Sequence, residues 1–215
     1  MQAVILLDYF GVTLFAATGA LVASRKELDI IGFVFLATVT GIGGGTARDL
    51  ILGVPVFWVA QPLYVLLCIA AAAGIYFTAH LVESRYRWLL WLDAAALAAY
   101  GVFGAVKGLT VTGSPVVAVV MGMMTSALGG ILRDVIAGEP SVLMRKEVYV
   151  LAALAGAVVF VLADGAGVGL FVASGAGFIV AFGVRSGALI FGWCLPTYRS
   201  RPGRTPEDSL EGIER

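Results

Sequence analysis

The chain alternates between long apolar stretches and short polar connections, and this pattern predicts its architecture. A helix needs roughly 20 apolar residues to cross the core of a bilayer, which is about 30 Å thick. Stretches of about this length cover residues 3–23, 29–52, 60–81, 88–107, 113–136, 147–164 and 168–192. The pattern therefore predicts an all-α integral membrane protein with seven transmembrane helices.

Two of these stretches contain glycine runs that are unusual inside a helix. Three consecutive glycines at residues 43–45 and two at residues 129–130 each precede an Arg-Asp pair, at residues 48–49 and 133–134. The two segments align without a gap, and we call the constant shift between their numbers the repeat offset. Each glycine weakens a helix by about 1 kcal/mol relative to alanine. We therefore expect helices two and five to be kinked there, or to be approached closely by another backbone.

The repeat extends beyond the glycines. At the repeat offset Asp8 aligns with Asp93, and Thr40 aligns with Thr125. Each unit contains three predicted helices, and because three is an odd number the second unit enters the membrane in the opposite direction. The sequence thus predicts an inverted-topology repeat, a device found in channels and transporters.

The repeat divides the chain into four parts. Residues 1–81 form the first three-helix repeat and residues 88–166 the second, inverted one. Residues 168–192 form a seventh helix outside the repeat. Residues 196–215 are rich in Pro, Arg and Glu and have no apolar face, which predicts a disordered tail.

Composition and charge agree with a membrane location. Hydrophobic residues make up 60% of the chain and charged residues only 13%, whereas about 25% of a soluble domain is charged. Lys and Arg accumulate in cytoplasmic loops. With the N-terminus outside and the C-terminus in the cytoplasm, only Arg48 and Lys107 of the 14 basic residues fall on the outer side. We therefore expect this orientation.

Six charged residues form two equivalent clusters, one near each membrane surface. They are Asp8, Arg48 and Asp49 on the outer side, and Asp93, Arg133 and Asp134 on the inner side. Each cluster has a formal charge of minus one, which favours cations, so the clusters are candidate mouths of one pathway. Two alternatives remain open. The Arg-Asp pairs would instead be internal salt bridges, and the remaining aspartates would favour the dipoles at helix N-termini.

Small and hydroxylated residues lie between the two clusters. Those that we predict to line the pathway are Thr40, Gly41, Gly43, Gly44, Gly45, Thr125, Ser126, Gly129 and Gly130. Interrupted helices would free backbone carbonyls there, and such backbone is tolerated in a membrane where it lines a wet cavity. Close packing of helices is the alternative explanation for the glycines.

Several function classes are excluded by what the sequence lacks. Cys68 and Cys194 have no metal-ligand spacing, and no phosphate-binding loop or dinucleotide fingerprint is complete. The chain has no catalytic triad pattern and no basic patch with interleaved aromatic residues. We expect no enzyme activity, no metal or cofactor, and no nucleic-acid partner.

These residues resemble the trimeric intracellular cation channels, the TRIC family, in their prokaryotic form. The resemblance rests on the two matching glycine runs at residues 43–45 and 129–130 and on a Lys-Glu-Val motif at residues 146–148. It implies a homotrimer with one pore in each protomer, which passes potassium and also sodium. It also implies a multi-pass protein of a prokaryotic plasma (inner) membrane, in contact with lipids. Lys146 and Glu147 are candidate lipid-binding or regulatory residues on the same resemblance.

A secondary transporter of a small amino acid such as glycine is the alternative. Similar bacterial sequences are grouped under a glycine-transporter name, and an inverted repeat suits alternating access as well as a pore. Backbone N–H groups freed by the helix breaks would then bind the substrate carboxylate. The ionisable residues lie nearer the helix ends than the membrane midplane, which favours the channel.

Overall fold

The computed structural model of the protein describes residues 2–81, 84–142, 144 and 148–196. This part of the chain forms eight α-helices. They are α1 (Gln2–Arg25), α2 (Ile30–Ile51), α3 (Phe57–Ala60), α4 (Leu63–Thr78), α5 (Arg85–Thr112), α6 (Pro115–Ile136), α7 (Val150–Gly165) and α8 (Leu170–Phe191). A short 3-10 helix, Ala79–Leu81, follows α4.

The long helices lie where the apolar stretches predicted them. Six helices of the described chain are long and apolar enough to cross a membrane: α1, α2, α4 with its 3-10 extension, α5, α6 and α8. Helix α7 is apolar but has only 16 residues. The four-residue helix α3 was not predicted, and it lies in the connection between α2 and α4. The fold is that of an α-helical membrane protein.

Helices α2 and α6 begin and end in the same way. Asp29 caps α2 and Ser114 caps α6, and each side chain accepts a hydrogen bond from the backbone N–H three residues later. After the helices, Gly53 and Gly138 adopt φ values of +65° and +63°. Glycine adopts this left-handed conformation without steric cost. The two segments therefore share a local structure as well as a sequence pattern.

Helix α5 lies at the centre of the described bundle. It contacts α1, α6, α7 and α8, and most of its inward positions carry alanine, glycine or valine. Helix α2 contacts α1, α4 and α6. The contact between α2 and α6 joins the two repeat segments directly.

The glycines of α2 and α6 lie inside continuous helices. The helical pattern runs without a gap through residues 41–45 and through residues 129–130. The expectation that helix breaks free backbone carbonyls there is therefore wrong, whereas a bend that preserves the helix remains a prediction. Backbone groups in a membrane must stay hydrogen-bonded, and this requirement outweighs the low helix propensity of glycine.

Close approach of two backbones explains the central glycines instead. A Cβ atom at Gly44 would collide with the carbonyl oxygen of Thr125, and a Cβ at Gly129 would lie 2.7 Å from the carbonyl oxygen of Thr40. The two contacts are equivalent at the repeat offset. From Thr40 to Gly44 the chain moves forward along α2, whereas the positions that these residues contact in α6 move backward, from residue 129 to residue 125. Helices α2 and α6 therefore cross antiparallel at a point where neither has room for a side chain.

We predict that Gly44→Ala destabilises the protein. The added methyl group would press on a backbone carbonyl of α6, which has no rotamer to change, and overpacking of this kind costs about 1–3 kcal/mol. The midpoint of thermal unfolding of the purified protein in detergent would show the loss. Gly74→Ala in α4 is the matched control, because no atom lies within 4 Å of its Cβ position. Equal midpoints for the two variants would contradict the packing role of Gly44.

Candidate functional site

The Arg-Asp pair at the end of α2 is the centre of a buried charged cluster. We define the first cluster as Asp8, Arg48, Asp49, Tyr64 and Lys107. These residues come from α1, α2, α4 and α5. Asp8, Arg48 and Asp49 are almost completely buried.

Asp49 is held by partners on both of its carboxylate oxygens. The Nε of Arg48 donates to Asp49 Oδ1 at 2.8 Å, and the Nζ of Lys107 lies 2.7 Å from the same oxygen. The backbone N–H of Phe57 donates to Asp49 Oδ2 at 2.9 Å. Because Phe57 begins α3, this bond ties the connection after α2 back to the end of the helix.

Among the described residues, one carboxylate oxygen of Asp8 has a hydrogen-bond partner and the other has none. The hydroxyl of Tyr64 donates to Asp8 Oδ2 at 2.5 Å. Within the described residues Oδ1 of Asp8 has no hydrogen-bond partner, although the residue is only 2% exposed. The charges of Arg48, Asp49 and Lys107 all lie close enough to act on this carboxylate. A buried carboxylate oxygen without a donor is costly to retain, which makes it a candidate ligand for a cation.

Arg48 is also only partly engaged. Its guanidinium carbon lies 5.0 Å from the ring centre of Phe103 and 5.6 Å from that of Phe57. The Nη1 and Nη2 atoms have no hydrogen-bond partner in the described part of the chain. Aromatic faces attract a guanidinium but leave its N–H donors unsatisfied.

The Arg-Asp pair at the end of α6 forms the second cluster, which we define as Thr18, Asp93, Arg133, Asp134 and Tyr149. Arg133 Nη1 donates to Asp93 Oδ1 at 2.7 Å and to Thr18 Oγ1 at 3.0 Å. Its Nε and Nη2 both lie 2.9 Å from Asp134 Oδ1. Every nitrogen of this guanidinium therefore has a partner.

The connection after α6 is bound to the end of its helix in the same way as the connection after α2, through a backbone N–H that donates to the aspartate of the Arg-Asp pair. The backbone N–H of Val142 donates to Asp134 Oδ2 at 3.0 Å. Next to the cluster, the guanidinium of Arg185 in α8 lies 5.1 Å from the ring centre of Tyr149. A Cβ atom at Gly130 would lie 2.8 Å from the hydroxyl of Tyr149. The glycine thus makes room for the tyrosine.

The two predicted clusters are present, but their surroundings differ from the expectation. Each brings an aspartate of one helix close to the Arg-Asp pair of another, and all six charged residues are at most 2% exposed. Such burial favours internal ion pairs over open mouths. The capping alternative for the remaining aspartates is wrong, because Asp8 and Asp93 lie two turns inside α1 and α5.

The hydroxyl residues predicted to line a pathway donate hydrogen bonds to their own helices. Thr40 Oγ1 donates to the carbonyl of Leu36, and Thr125 Oγ1 to that of Met121. Ser126 donates to carbonyls one turn before it in α6. All three are buried near the crossing of α2 and α6. Their oxygens keep lone pairs that are able to accept from a donor or bind a cation.

The remaining predicted glycines make room for side chains. A Cβ at Gly41, Gly43 or Gly45 would lie 2.6–2.8 Å from Cys68, Leu132 or Phe57, respectively. Lys146 and Glu147 lie outside the described residues. No group of three or more His, Cys, Asp or Glu side chains in the described chain is arranged to hold a metal ion.

Sequence reasoning missed four members of the two clusters, and it also missed Arg185, which lies next to the second cluster. Tyr64 and Tyr149 align at the repeat offset, and this match was a signal for a paired role. Lys107 and Arg185 are basic residues inside apolar stretches, and ionisable residues there are usually functional or paired. Thr18 gave no signal, because a buried threonine is common in membrane helices.

Comparison with known proteins agrees with this fold. The family model described as "Glycine transporter" matches residues 5–80 and again residues 90–165. The TRIC trimeric intracellular cation channel orthologue from Rhodobacter sphaeroides is 52% identical, with a TM-score of 0.87 over 90% of this chain and 100% of that one. This chain belongs to the TRIC family.

Curated relatives in the family are membrane proteins. A UPF0126 membrane protein of Vibrio cholerae is 36% identical, over 90% of this chain and 82% of its own length. The UPF0126 inner membrane protein YadS of Escherichia coli is 34% identical, over 89% of this chain and 94% of its own length. Together with the apolar helices, these likenesses identify the chain as a multi-pass membrane protein of the TRIC family.

We predict that Arg133→Met destabilises the protein far more than Lys107→Met. Without Arg133, Asp93 loses its ion pair and Asp134 loses its bonds from the guanidinium, and breaking a buried ion pair costs about 3–5 kcal/mol. Asp49 retains Arg48 and the Phe57 N–H after loss of Lys107. Thermal unfolding and the yield of monodisperse protein in detergent would measure both variants. A larger loss for Lys107→Met would contradict this ranking.

Proposed function

We propose that this TRIC family member is a monovalent cation channel that conducts potassium and also sodium, with one pore in each protomer of a homotrimer. The observation that carries the proposal is the buried carboxylate of Asp8, whose Oδ1 atom has no hydrogen-bond partner among the described residues. The 52% identity to the Rhodobacter sphaeroides channel supports the same class of activity. Family membership also argues against an enzyme.

The proposed pathway runs between the two clusters along the crossing of α2 and α6. A cation would first meet the open oxygen of Asp8, and then the hydroxyl oxygens of Thr40 and Thr125 near the crossing. Thr125 is equivalent to Thr40 in the repeat, so the two hydroxyl oxygens would follow one another toward the second cluster, where Asp93 is paired with Arg133. The pathway must pass beside the crossing, because Gly44 and Gly129 bring the two backbones into contact. The other residues predicted to line it remain part of this proposal.

We infer that the chain contains an inverted repeat of two three-helix units followed by a seventh helix. The family model matches the chain twice, over residues 5–80 and over residues 90–165, so that each match covers one unit. The antiparallel crossing of α2 and α6 supports opposite directions for the two units. On this proposal α7 also spans the membrane, and the units keep the boundaries 1–81, 88–166 and 168–192.

We further propose that the N-terminus lies outside and the C-terminus in the cytoplasm. The side chain of Arg25 pairs with Glu139 at 3.2 Å, and Arg85 donates to the carbonyl of Ser24 at 3.2 Å. The end of α1, the start of α5 and the end of α6 therefore lie on one side. That side also carries Lys26 and Arg87, as a cytoplasmic surface should. Contact of Lys146 and Glu147 with lipid is part of the same proposal.

We predict cation currents from the purified protein in a planar bilayer with a potassium gradient and no other solute. The currents should reverse near the potassium equilibrium potential. Asp8→Asn and Asp93→Asn should each lower the permeability ratio of cations over anions, because each removes one negative charge beside the pathway. Asp164→Asn, at the end of α7 and outside both clusters, should leave the ratio unchanged. A silent wild-type protein would exclude the channel.

One observation favours the second candidate, a transporter of a small amino acid. Arg48 has two unpartnered Nη atoms and Asp8 has one unpartnered oxygen in the same buried cluster of the described chain. A guanidinium fork binds a carboxylate through two parallel hydrogen bonds, and a carboxylate binds an ammonium group. A zwitterion such as glycine offers both groups. Because α2 and α6 are continuous helices, Arg48 replaces the backbone N–H groups first expected in this role.

For this second candidate function, we predict that liposomes containing the purified protein take up labelled glycine in a saturable manner. Arg48→Lys should then weaken uptake by at least tenfold, because a lysine lacks the two-pronged geometry of the guanidinium. Lys107→Arg keeps the charge next to Asp49 and serves as the control. Linear, unsaturable uptake by the wild-type protein would exclude this candidate.

A further inference from the structure

The two clusters occupy equivalent positions in the repeat, yet they hold their arginines differently. Arg133 donates to Asp93, Asp134 and Thr18, so its guanidinium is fully engaged. Arg48 donates only to Asp49, through Nε, and its two Nη atoms have no partner in the described chain. The difference calls for a cause in the surrounding residues.

Two positions account for the difference. At the repeat offset, Thr18 beside Arg133 corresponds to Phe103 beside Arg48, and Val22 corresponds to Lys107. The threonine offers Arg133 a hydroxyl acceptor at 3.0 Å, whereas the phenylalanine offers Arg48 only a ring face. Lys107 forms an ion pair with Asp49 Oδ1 at 2.7 Å, whereas Val22 has no charge with which to bind Asp134.

The unpartnered atoms of the first cluster are complementary. Among the described residues, Asp8 Oδ1 lacks a donor, and Arg48 Nη1 and Nη2 lack an acceptor. The equivalent atoms of the second cluster, Asp93 Oδ1 and Arg133 Nη1, are joined at 2.7 Å. The first cluster therefore contains the parts of the same ion pair in a separated arrangement.

We propose that the first cluster has two pairing states, and that Arg48 switches between them. In the state seen here Arg48 lies against Phe103, and the buried Oδ1 atom of Asp8, which has no partner among the described residues, is able to bind a cation. In the other state Arg48 Nη1 donates to Asp8 Oδ1, as Arg133 does to Asp93, and the paired carboxylate no longer attracts a cation. The inference rests on the proposed channel function and assigns its gate to the first cluster, whereas the second cluster remains fixed.

The side chains around Arg48 keep both states accessible. Tyr64 holds Asp8 Oδ2 in either state, so the carboxylate does not need to move. Lys107 keeps Asp49 neutralised when Arg48 turns away. Leaving the ring of Phe103 loses a cation–π contact, and reaching Asp8 gains a charge-assisted hydrogen bond. Opposing changes of this kind are typical of elements with two discrete arrangements.

The test introduces at position 103 the hydroxyl group that the second cluster has at position 18. In Phe103→Thr the new hydroxyl would accept from Arg48 in the paired orientation, so we expect an open probability about tenfold lower than that of the wild type. Phe103→Leu removes the ring without adding an acceptor, so only the cation–π contact is lost and the open probability should fall by no more than about threefold. Equal open probabilities for the two variants would overturn the inference.

Two further variants separate a switch from general disturbance. Phe171→Thr makes the same replacement at an exposed position of α8, outside both clusters, and it should leave the open probability unchanged. Asp8→Asn combined with Phe103→Thr should abolish the effect of the threonine, because the paired state then has no carboxylate. A full effect of Phe103→Thr in the Asp8→Asn background would overturn the proposed pairing.

An experimental structure of Phe103→Thr tests the pairing without any current. We expect Arg48 Nη1 within about 3.2 Å of Asp8 Oδ1 in this variant, a normal length for such a bond. Arg48 still turned away from Asp8 would overturn the two-state cluster. This readout does not depend on current. A wild-type protein without current would therefore exclude only the channel function, and the structure of the variant would still test whether Arg48 pairs with Asp8.

Discussion

The close crossing of α2 and α6 is the constraint on which the rest of the structure depends. Gly44 and Gly129 bring each backbone against a carbonyl of the other helix, so the two helices meet at one fixed point. The Arg-Asp pair of each helix begins about one turn after the crossing, at Arg48 or Arg133, and the helix ends within the next turn, at Ile51 or Ile136. Since the helices are antiparallel, the two pairs extend to opposite sides of the crossing. The position of both charged clusters thus follows from the absence of two Cβ atoms.

Burial of the charges gives the two clusters a structural role. An unpaired charge in a hydrocarbon environment is expensive, so each guanidinium and carboxylate needs partners from several helices. Asp49 and Asp134 meet this need in the same way, with one oxygen for an arginine and the other for a backbone N–H eight residues later. The connection after each helix is fixed by the same carboxylate that neutralises the arginine. A change in charge pairing therefore reaches the loops directly.

Much of this arrangement was predictable from the sequence, because a repeat reports on three-dimensional equivalence. The repeat offset, together with the alternating direction of the predicted helices, placed Asp8 and Asp93 beside the correct Arg-Asp segments. Helix propensity, in contrast, led to the wrong prediction that the glycines break their helices. Propensities are measured in water, where a broken helix can bond to solvent, whereas the backbone of a membrane helix has no such alternative partners. Helix α3 is too short to have a periodic signal. The partner of Lys107 was also hidden, because Asp49 lies on another helix and no sequence pattern joins them.

The departures from the repeat carry information that the repeat itself does not. A duplicated scaffold gives both clusters an Arg-Asp pair, a second aspartate and a tyrosine, so the differences between them have to arise from neighbouring side chains. Phe103 in place of a threonine and Lys107 in place of a valine are two such differences, and both act on Arg48. A hydroxyl acceptor fixes a guanidinium in direction, whereas a ring face holds it without directing its N–H groups. The same backbone therefore supports one rigid cluster and one cluster that is free to change its pairing.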